Sequence, residues 1–162
     1  MMSIPLVPNL LRSHLAELAL EDKRHDGRQR FEGRDVELEI NCLPRAEGSA
    51  RVRMGDTIVL AGVKFQIMTP YPDRPNEGGL MCSAEVRPVA GRNWEAGPPS
   101  AESIELGRVV DRGIRESGCI NTEDLCIIPG EKAWQVILDV FAVSDDGNLF
   151  DAFGLAAIAA LR

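Results

Sequence analysis

The apolar positions in the first third of the chain follow two different periods. Residues 10–21 have apolar side chains three and four positions apart with charged residues between them, which predicts an amphipathic helix. Residues 36–40 and 50–54 alternate apolar and charged side chains, as half-buried β-strands do. A glycine–aspartate hairpin turn at 55–56 then leads into 57–65, a more continuously apolar strand.

Proline and glycine divide the rest of the chain into short elements. Two punctuated loops, 67–79 and 91–99, flank a strand that is predicted at 82–88. Ser100 is a good helix N-cap and Gly118 a good helix stop, so a helix is predicted from Ser100 to about residue 117. The remaining predicted elements are a short strand, a long apolar strand and an alanine-rich helix, at 125–128, 133–143 and after Gly147.

The order of these elements indicates the fold class. Several strands come first, and the helices follow without a regular strand–helix alternation, which is typical of an α+β fold with a mostly antiparallel or mixed sheet. The last helix is so apolar that it needs a surface to pack against. We therefore expect either that the native domain continues beyond residue 162 or that a partner covers this helix.

Composition and charge limit the class of protein. The chain has 162 residues, of which 44% are hydrophobic and 27% charged, as in a single globular domain. No apolar run reaches the roughly 18 residues of a membrane span, and the N-terminus lacks signal-peptide features, so a cytoplasmic protein is expected. The net charge is −7, with nine basic and sixteen acidic side chains in residues 54–162. Any nucleic-acid contact must then be local or shared with a more basic partner.

The ligand-forming residues give little support for a metal site. The four cysteines are scattered and lie far in sequence from both histidines, which favours ordinary reduced, mostly buried thiols. An acidic group near the last turn could suggest a magnesium site, but ordinary turn and capping roles are the favoured explanation. Its members are Asp139, Asp145, Asp146 and Asp151. No catalytic motif is recognised, and no metal or cofactor is predicted.

Three arginines of the helix at 100–117 form a candidate phosphate-binding strip. Arg108, Arg112 and Arg115 are spaced i, i+4 and i+7, so they share one helix face. Guanidinium groups in a row can bind a phosphodiester backbone. Acidic residues three and four positions away also allow surface ion pairs, and this alternative remains open at this point.

The turn before the last helix has the outline of an anion site. A strand, a glycine turn and a small-residue helix place free backbone N–H groups where they can hold a phosphate. If Asn148 is the N-cap, Asp151 is the third helical residue, and its carboxylate meets those N–H groups instead. That placement stabilises the helix by roughly 0.3–1 kcal/mol and opposes an incoming phosphate.

Six segments of the chain resemble, in the same order, segments of the RNase PH family. They are KRHDGR at 23–28, GSARV at 48–52, GDT at 55–57, PDRPNEG at 72–78, ELGRVVDRGIR at 105–115 and DGNLFDA at 146–152. The resemblance extends from about residue 23 to residue 162. Within the family it is to the non-catalytic ring subunits of archaeal exosomes.

The resemblance implies a fold and an assembly. The fold is RNase PH-like, similar to the second domain of ribosomal protein S5, with an N-terminal helix in 1–22 and a first domain at 23–162 whose C-terminal part is missing. The assembly is a hexameric ring in which a catalytic sister subunit alternates with this subunit and RNA-binding cap subunits are added. Its substrate is single-stranded RNA, which is degraded from the 3′ end with phosphate as the attacking group.

The resemblance also implies roles for particular residues. Active relatives hold the attacking phosphate with a Gly-Gly-Ser/Thr-Arg type of run, whereas this chain has a degenerate site there, formed by Asn148, Leu149, Phe150 and Asp151. The family's catalytic carboxylates lie beyond residue 162, so no catalytic residue is assigned. Arg108 and Arg112 match the helix with which ring subunits touch RNA.

Two other functions remain open from the sequence. One is a phosphorolytic 3′–5′ exoribonuclease, which requires a working phosphate site at 147–151. The other is a ribosomal-type RNA-binding module, which requires RNA affinity without a ring-forming sister.

Overall fold

A six-stranded mixed sheet organises the chain. The computed structural model describes residues 9–162, with side chains from Leu11 onward. The strands are β1 (Val36–Ile40), β2 (Gly48–Met54), β3 (Thr57–Met68), β4 (Gly79–Val86), β5 (Cys126–Ile128) and β6 (Lys132–Ser144). Their order is β1-β2-β3-β6-β4, with β5 paired to β6. Only the β4–β6 pair among them is parallel, so the predicted mixed sheet is confirmed.

Two helices cover one face of this sheet. They are α2 (Ala101–Ser117) and α3 (Leu149–Ala160), and they follow α1 (Asn9–Leu20) in the chain. Because side chains alternate between the two faces of a strand, one apolar set from β2, β3 and β6 points toward α2 and α3. Its fully buried members include Val52, Val59, Leu138 and Val140, which form one core with Phe153 of α3.

A glycine allows α3 to lie close to the sheet. Gly48 of β2 lies against the backbone carbonyl of Ala160, the last residue of α3, and a Cβ atom at position 48 would overlap that oxygen. A residue without a side chain therefore lets the C-terminal end of the helix approach β2.

Helix α2 begins and ends where its sequence signals predict. The Ser100 hydroxyl accepts a hydrogen bond from the Ser103 N–H at 3.2 Å, which satisfies a free donor of the first turn. Gly118 closes the helix in the left-handed region at φ 65°. Glu102 in the first turn has a lowered pKa because its carboxylate accepts hydrogen bonds from its own N–H and from Ser100.

Removal of this cap tests its contribution to stability. We expect Ser100→Ala to lower the free energy of unfolding by about 1 kcal/mol, because the Ser103 N–H loses its acceptor. Ser100→Thr keeps a hydroxyl at the cap and serves as the control. Urea unfolding followed by circular dichroism measures both, and equal stabilities of the two variants would contradict a capping role.

Strand β1 differs from its prediction. The alternation at 36–40 predicts a half-buried strand, but all five residues are exposed. Each apolar residue of β1 is opposite a buried residue of β2, such as Leu38 opposite Val52, so the row does point to the helix-covered face. The prediction of burial is wrong because α3 lies over β2 and β3 and only borders β1.

The chain divides into two compact units, residues 1–34 and 35–162. In the first, α1 confirms the predicted amphipathic helix, and an arginine at position 24 donates to the Arg30 carbonyl at 2.7 Å in the turns that follow. Residues 1–8 of the predicted N-terminal segment 1–22 lie outside the described residues, and the division into 1–22 and 23–162 stays a prediction.

Among residues 9–162, no helix is long and apolar enough to span a bilayer.

Candidate nucleic-acid interface

Packing on one side of α2 fixes the side that faces solvent. The buried residues of the helix are Ser103, Leu106, Val110 and Ile114, and the Ser103 hydroxyl donates to the Ala84 carbonyl of β4 at 3.0 Å. Arg108 and Arg112 are therefore exposed on the opposite side. Within residues 9–162 neither arginine forms an ion pair, so both guanidinium groups are available to a ligand.

Arg115, the third arginine of the predicted strip, is in a different state. It forms an ion pair with Asp111 of the preceding turn, with Nη2 2.7 Å and Nε 3.1 Å from the two carboxylate oxygens. Its Nη2 also donates to the Leu80 carbonyl at 3.1 Å, which ties α2 to β4. The bound carboxylate raises the pKa of Arg115 above its usual value. The structure thus separates an available pair, Arg108 and Arg112, from an anchored third member.

The surroundings of Cys82 make its thiol a poor nucleophile. Burial raises the pKa of the Cys82 thiol to about 12, and the carboxylates of Asp111 and Asp139 add to the increase, so it is protonated at neutral pH. All four cysteines are free. The prediction that they are mostly buried is wrong, because three are half-buried and Cys119 is exposed.

Side chains of the protein itself occupy the first turn of α3, where a phosphate would bind. Asn148 precedes the helix with left-handed backbone angles, φ 58° and ψ 40°, and makes no side-chain cap bond. Its amide group donates to the Asp151 carboxylate at 2.8 Å. The expectation that this carboxylate meets free backbone N–H groups is therefore corrected, since the side-chain amide of Asn148 is its hydrogen-bond donor. Leu149 is buried in the core, whereas Phe150 projects into solvent.

The turn before α3 is held by two residues that sequence reasoning missed. The hydroxyl of buried Thr57 donates to the Gly147 carbonyl at 2.8 Å and accepts from the Asp146 N–H at 3.0 Å. The Asp145 carboxylate accepts from the Gly147 N–H at 2.9 Å and from the Trp94 indole at 2.8 Å. The turn is thus fixed from strand β3 and from the loop before α2, and no short motif identifies these distant partners.

The acidic residues near this turn do not converge. Asp139 lies about 20 Å before Asp145 along the extended strand β6, at about 3.3 Å per residue. Asp139 accepts a hydrogen bond from the Ser83 hydroxyl of β4, whereas Asp145 and Asp151 bind the groups of the turn. Within residues 9–162, no three acidic, histidine or cysteine side chains are grouped as metal ligands would be.

Comparison with known proteins decides the family. Residues 32–162 match the family model for RNase PH, which is described as the 3′ exoribonuclease family, domain 1. The chain belongs to the RNase PH family. The resemblance predicted from its six sequence segments is thereby confirmed, together with the RNase PH-like fold.

Close relatives in this family are archaeal. A protein from Methanosarcina acetivorans named exosome complex component Rrp42 is 49% identical over 156 residues, which cover 96% of this chain and 59% of that protein. A chain in a structure of the Archaeoglobus fulgidus exosome with RNA bound to the active site has 50% identity and a TM-score of 0.88. The match covers 93% of this chain and 59% of that one.

A second solved structure has the same coverage pattern. A chain of an archaeal exosome core is 47% identical with a TM-score of 0.80, and the match covers 93% of this chain and 56% of that chain. The sequence therefore spans somewhat more than half the length of these RNase PH relatives. For this chain, the activity, substrates and partners of the longer proteins are therefore proposals.

Proposed function

We propose that the protein is a non-catalytic subunit of an RNA-degrading exosome ring. It contacts single-stranded RNA and supports the active site of a catalytic RNase PH-like sister subunit, without chemistry of its own. Family membership and high identity to archaeal exosome components support this assignment. We further propose that this ring carries RNA-binding cap subunits and that the protein works in the cytoplasm.

The first turn of α3 is the observation that carries the non-catalytic role. Phosphorolysis requires a site that holds inorganic phosphate, and backbone N–H groups with small hydroxyl or cationic side chains provide one. Here the side chains of that turn are a buried leucine, an exposed phenylalanine and a carboxylate that is hydrogen-bonded to Asn148. The negative charge of Asp151 repels a phosphate, and neither Leu149 nor Phe150 can bind one.

The exposed arginine pair is the observation that favours an RNA contact. Arg108 and Arg112 lie one helical turn apart and have no acidic partner within the described chain. Two such groups can bind neighbouring phosphates of a flexible strand. The net charge of −7 does not oppose this, because a local pair can contact RNA while a more basic sister supplies the remaining positive charge.

The test combines activity with assembly. We expect the purified chain, incubated with labelled single-stranded RNA, magnesium and phosphate, to release no nucleoside diphosphate. Addition of a catalytic sister subunit is expected to produce phosphorolysis and a hexameric native mass. An active RNase PH enzyme under the same conditions is the positive control.

Two results would overturn the proposal. Phosphate-dependent release of nucleoside diphosphates by the chain alone would make it an exoribonuclease, the activity in the family description. A chain that binds RNA but forms no complex with the sister would be a free-standing RNA-binding module.

A further inference from the structure

Strand β1 carries an apolar row that no other helix or strand of residues 35–162 covers. It is an edge strand, and β2 is its only strand neighbour in the described chain. Three of its side chains are about half exposed: Val36 by 52%, Leu38 by 57% and Ile40 by 52%. They point to the same face as α3, whose Leu155 and Ile158 are also exposed. A hydrophobic edge of this kind is a template for pairing with another strand.

The backbone of this strand presents its polar groups in a matching register. The Asn41 N–H donates to the Ser49 carbonyl at 2.7 Å, and the Asp35 carbonyl accepts from the Gly55 N–H at 3.1 Å, so odd-numbered residues face β2. In an antiparallel ladder, the N–H and C=O groups of one residue point to the same side of the strand, and those of the next residue point to the other side. Val36, Leu38 and Ile40 therefore turn their N–H and C=O groups toward the free edge.

The charges on the opposite face of β1 specify the partner. Glu37 and Glu39 alternate with the apolar row. In the register of the β1–β2 pair, Arg53 lies opposite Glu37 and Arg51 lies opposite Glu39. The Arg51 guanidinium lies 2.8 Å from the Glu39 carboxylate. Strand β2, which pairs with β1, thus alternates apolar and basic residues. A second partner strand meets the same two carboxylates from the other side.

A second copy of this chain does not fit the same edge. A two-fold antiparallel pairing of β1 with itself, centred on Leu38, sets Glu37 of one copy opposite Glu39 of the other. Like charges directly opposite each other destabilise a strand pair. The basic strand β2 is already paired on both sides, with β1 and β3, so it is not available to another copy.

We infer that the β1 edge binds an extended segment of a different protein by strand addition, and that this segment alternates apolar and basic residues. Its apolar side chains cover Val36, Leu38 and Ile40 on the helix side of the sheet. Its basic side chains lie beside Glu37 and Glu39 on the other face. Main-chain hydrogen bonds supply affinity, and the alternating side chains supply selectivity.

A pair of peptides tests both parts of this inference. The first is an acetylated and amidated copy of residues 49–54, with sequence SARVRM, and the second replaces both of its arginines with glutamate. We expect the basic peptide to bind and to protect the amides of Val36, Leu38 and Ile40 from hydrogen exchange, as observed by NMR on the full chain. The acidic peptide is expected to bind at least about tenfold more weakly.

Variants of β1 distinguish the contribution of backbone hydrogen bonds to binding from that of side-chain charge. Leu38→Pro removes an outward N–H without removing a hydrogen bond to β2, so it is expected to weaken binding of the basic peptide by about tenfold relative to Leu38→Ala. Glu37→Lys leaves the backbone intact and is expected to shift the preference toward the acidic peptide. Equal affinity for the two peptides, binding without protection of the three amides, or self-association with those amides protected would overturn the inference.

Discussion

Replacement of Phe153 by alanine is expected to lower the free energy of unfolding by about 3–5 kcal/mol. The side chain is 0% exposed, and it is the largest fully buried residue of the core between α3 and the sheet. Its removal leaves a cavity in this core. Since domains of this size are stable by about 5–15 kcal/mol, the variant loses a large part of its stability. Guanidinium chloride unfolding followed by far-UV circular dichroism measures the change.

The same helix offers a matched control. Phe150 lies three residues earlier in α3 and is 45% exposed. Phe150→Ala therefore removes the same atoms from a position that is partly exposed to solvent. Its expected cost is about 1 kcal/mol. Similar losses for the two variants would show that α3 does not pack on the sheet as described.

Local signals of the sequence were sufficient for most element boundaries. The Ser100 cap and the Gly118 stop act within a single turn of helix, and the hairpin turn at Gly55 joins two strands that follow each other in the chain. Such interactions depend on the identity of one or two neighbours, so the chain itself determines them. Strands β3 and β4 are exceptions. Strand β3 continues to Met68, three residues beyond its prediction, by pairing with the first residues of β6, and β4 covers Gly79–Val86 instead of the predicted 82–88 because it also pairs with β6.

The alternating pattern could not predict which strands of the sheet are buried. Val36–Ile40 and 50–54 have the same alternation of apolar and charged residues, yet the second strand is central and covered while the first is an exposed edge. Alternation indicates which face of a strand is apolar, and strand order and helix placement decide whether that face is covered.

The candidate site was predictable only where its contacts are local. The ion pair between Asp111 and Arg115 lies at i, i+4, so the sequence already offered it as an alternative to RNA binding. The contacts of Thr57 and Trp94 with the turn before α3 span 90 and 51 positions and depend on the tertiary fold. The RNA contacts of Arg108, Arg112 and Arg115 stay predictions.

Charge reversal of the exposed pair on α2 is expected to weaken RNA binding strongly. In a ring formed with the catalytic sister, Arg108→Glu combined with Arg112→Glu is expected to lower the affinity for single-stranded RNA about 100-fold at low salt, since two charge-assisted contacts become repulsive. Both side chains are exposed, so folding and assembly are expected to persist. Fluorescence anisotropy with a labelled oligonucleotide, together with native mass, measures both effects.

The salt dependence separates direct phosphate contacts from a general change of charge. Loss of two contacts to a single strand reduces the slope of log affinity against log salt by about 1.4. Lys132→Glu makes the same charge change as each single arginine reversal, at an exposed site outside α2, and is expected to change the slope little. Arg115→Gln is expected to affect stability more than RNA binding, because Arg115 holds Asp111 and the Leu80 carbonyl. If the double variant bound and trimmed RNA normally, Arg108 and Arg112 would have no role in the RNA path.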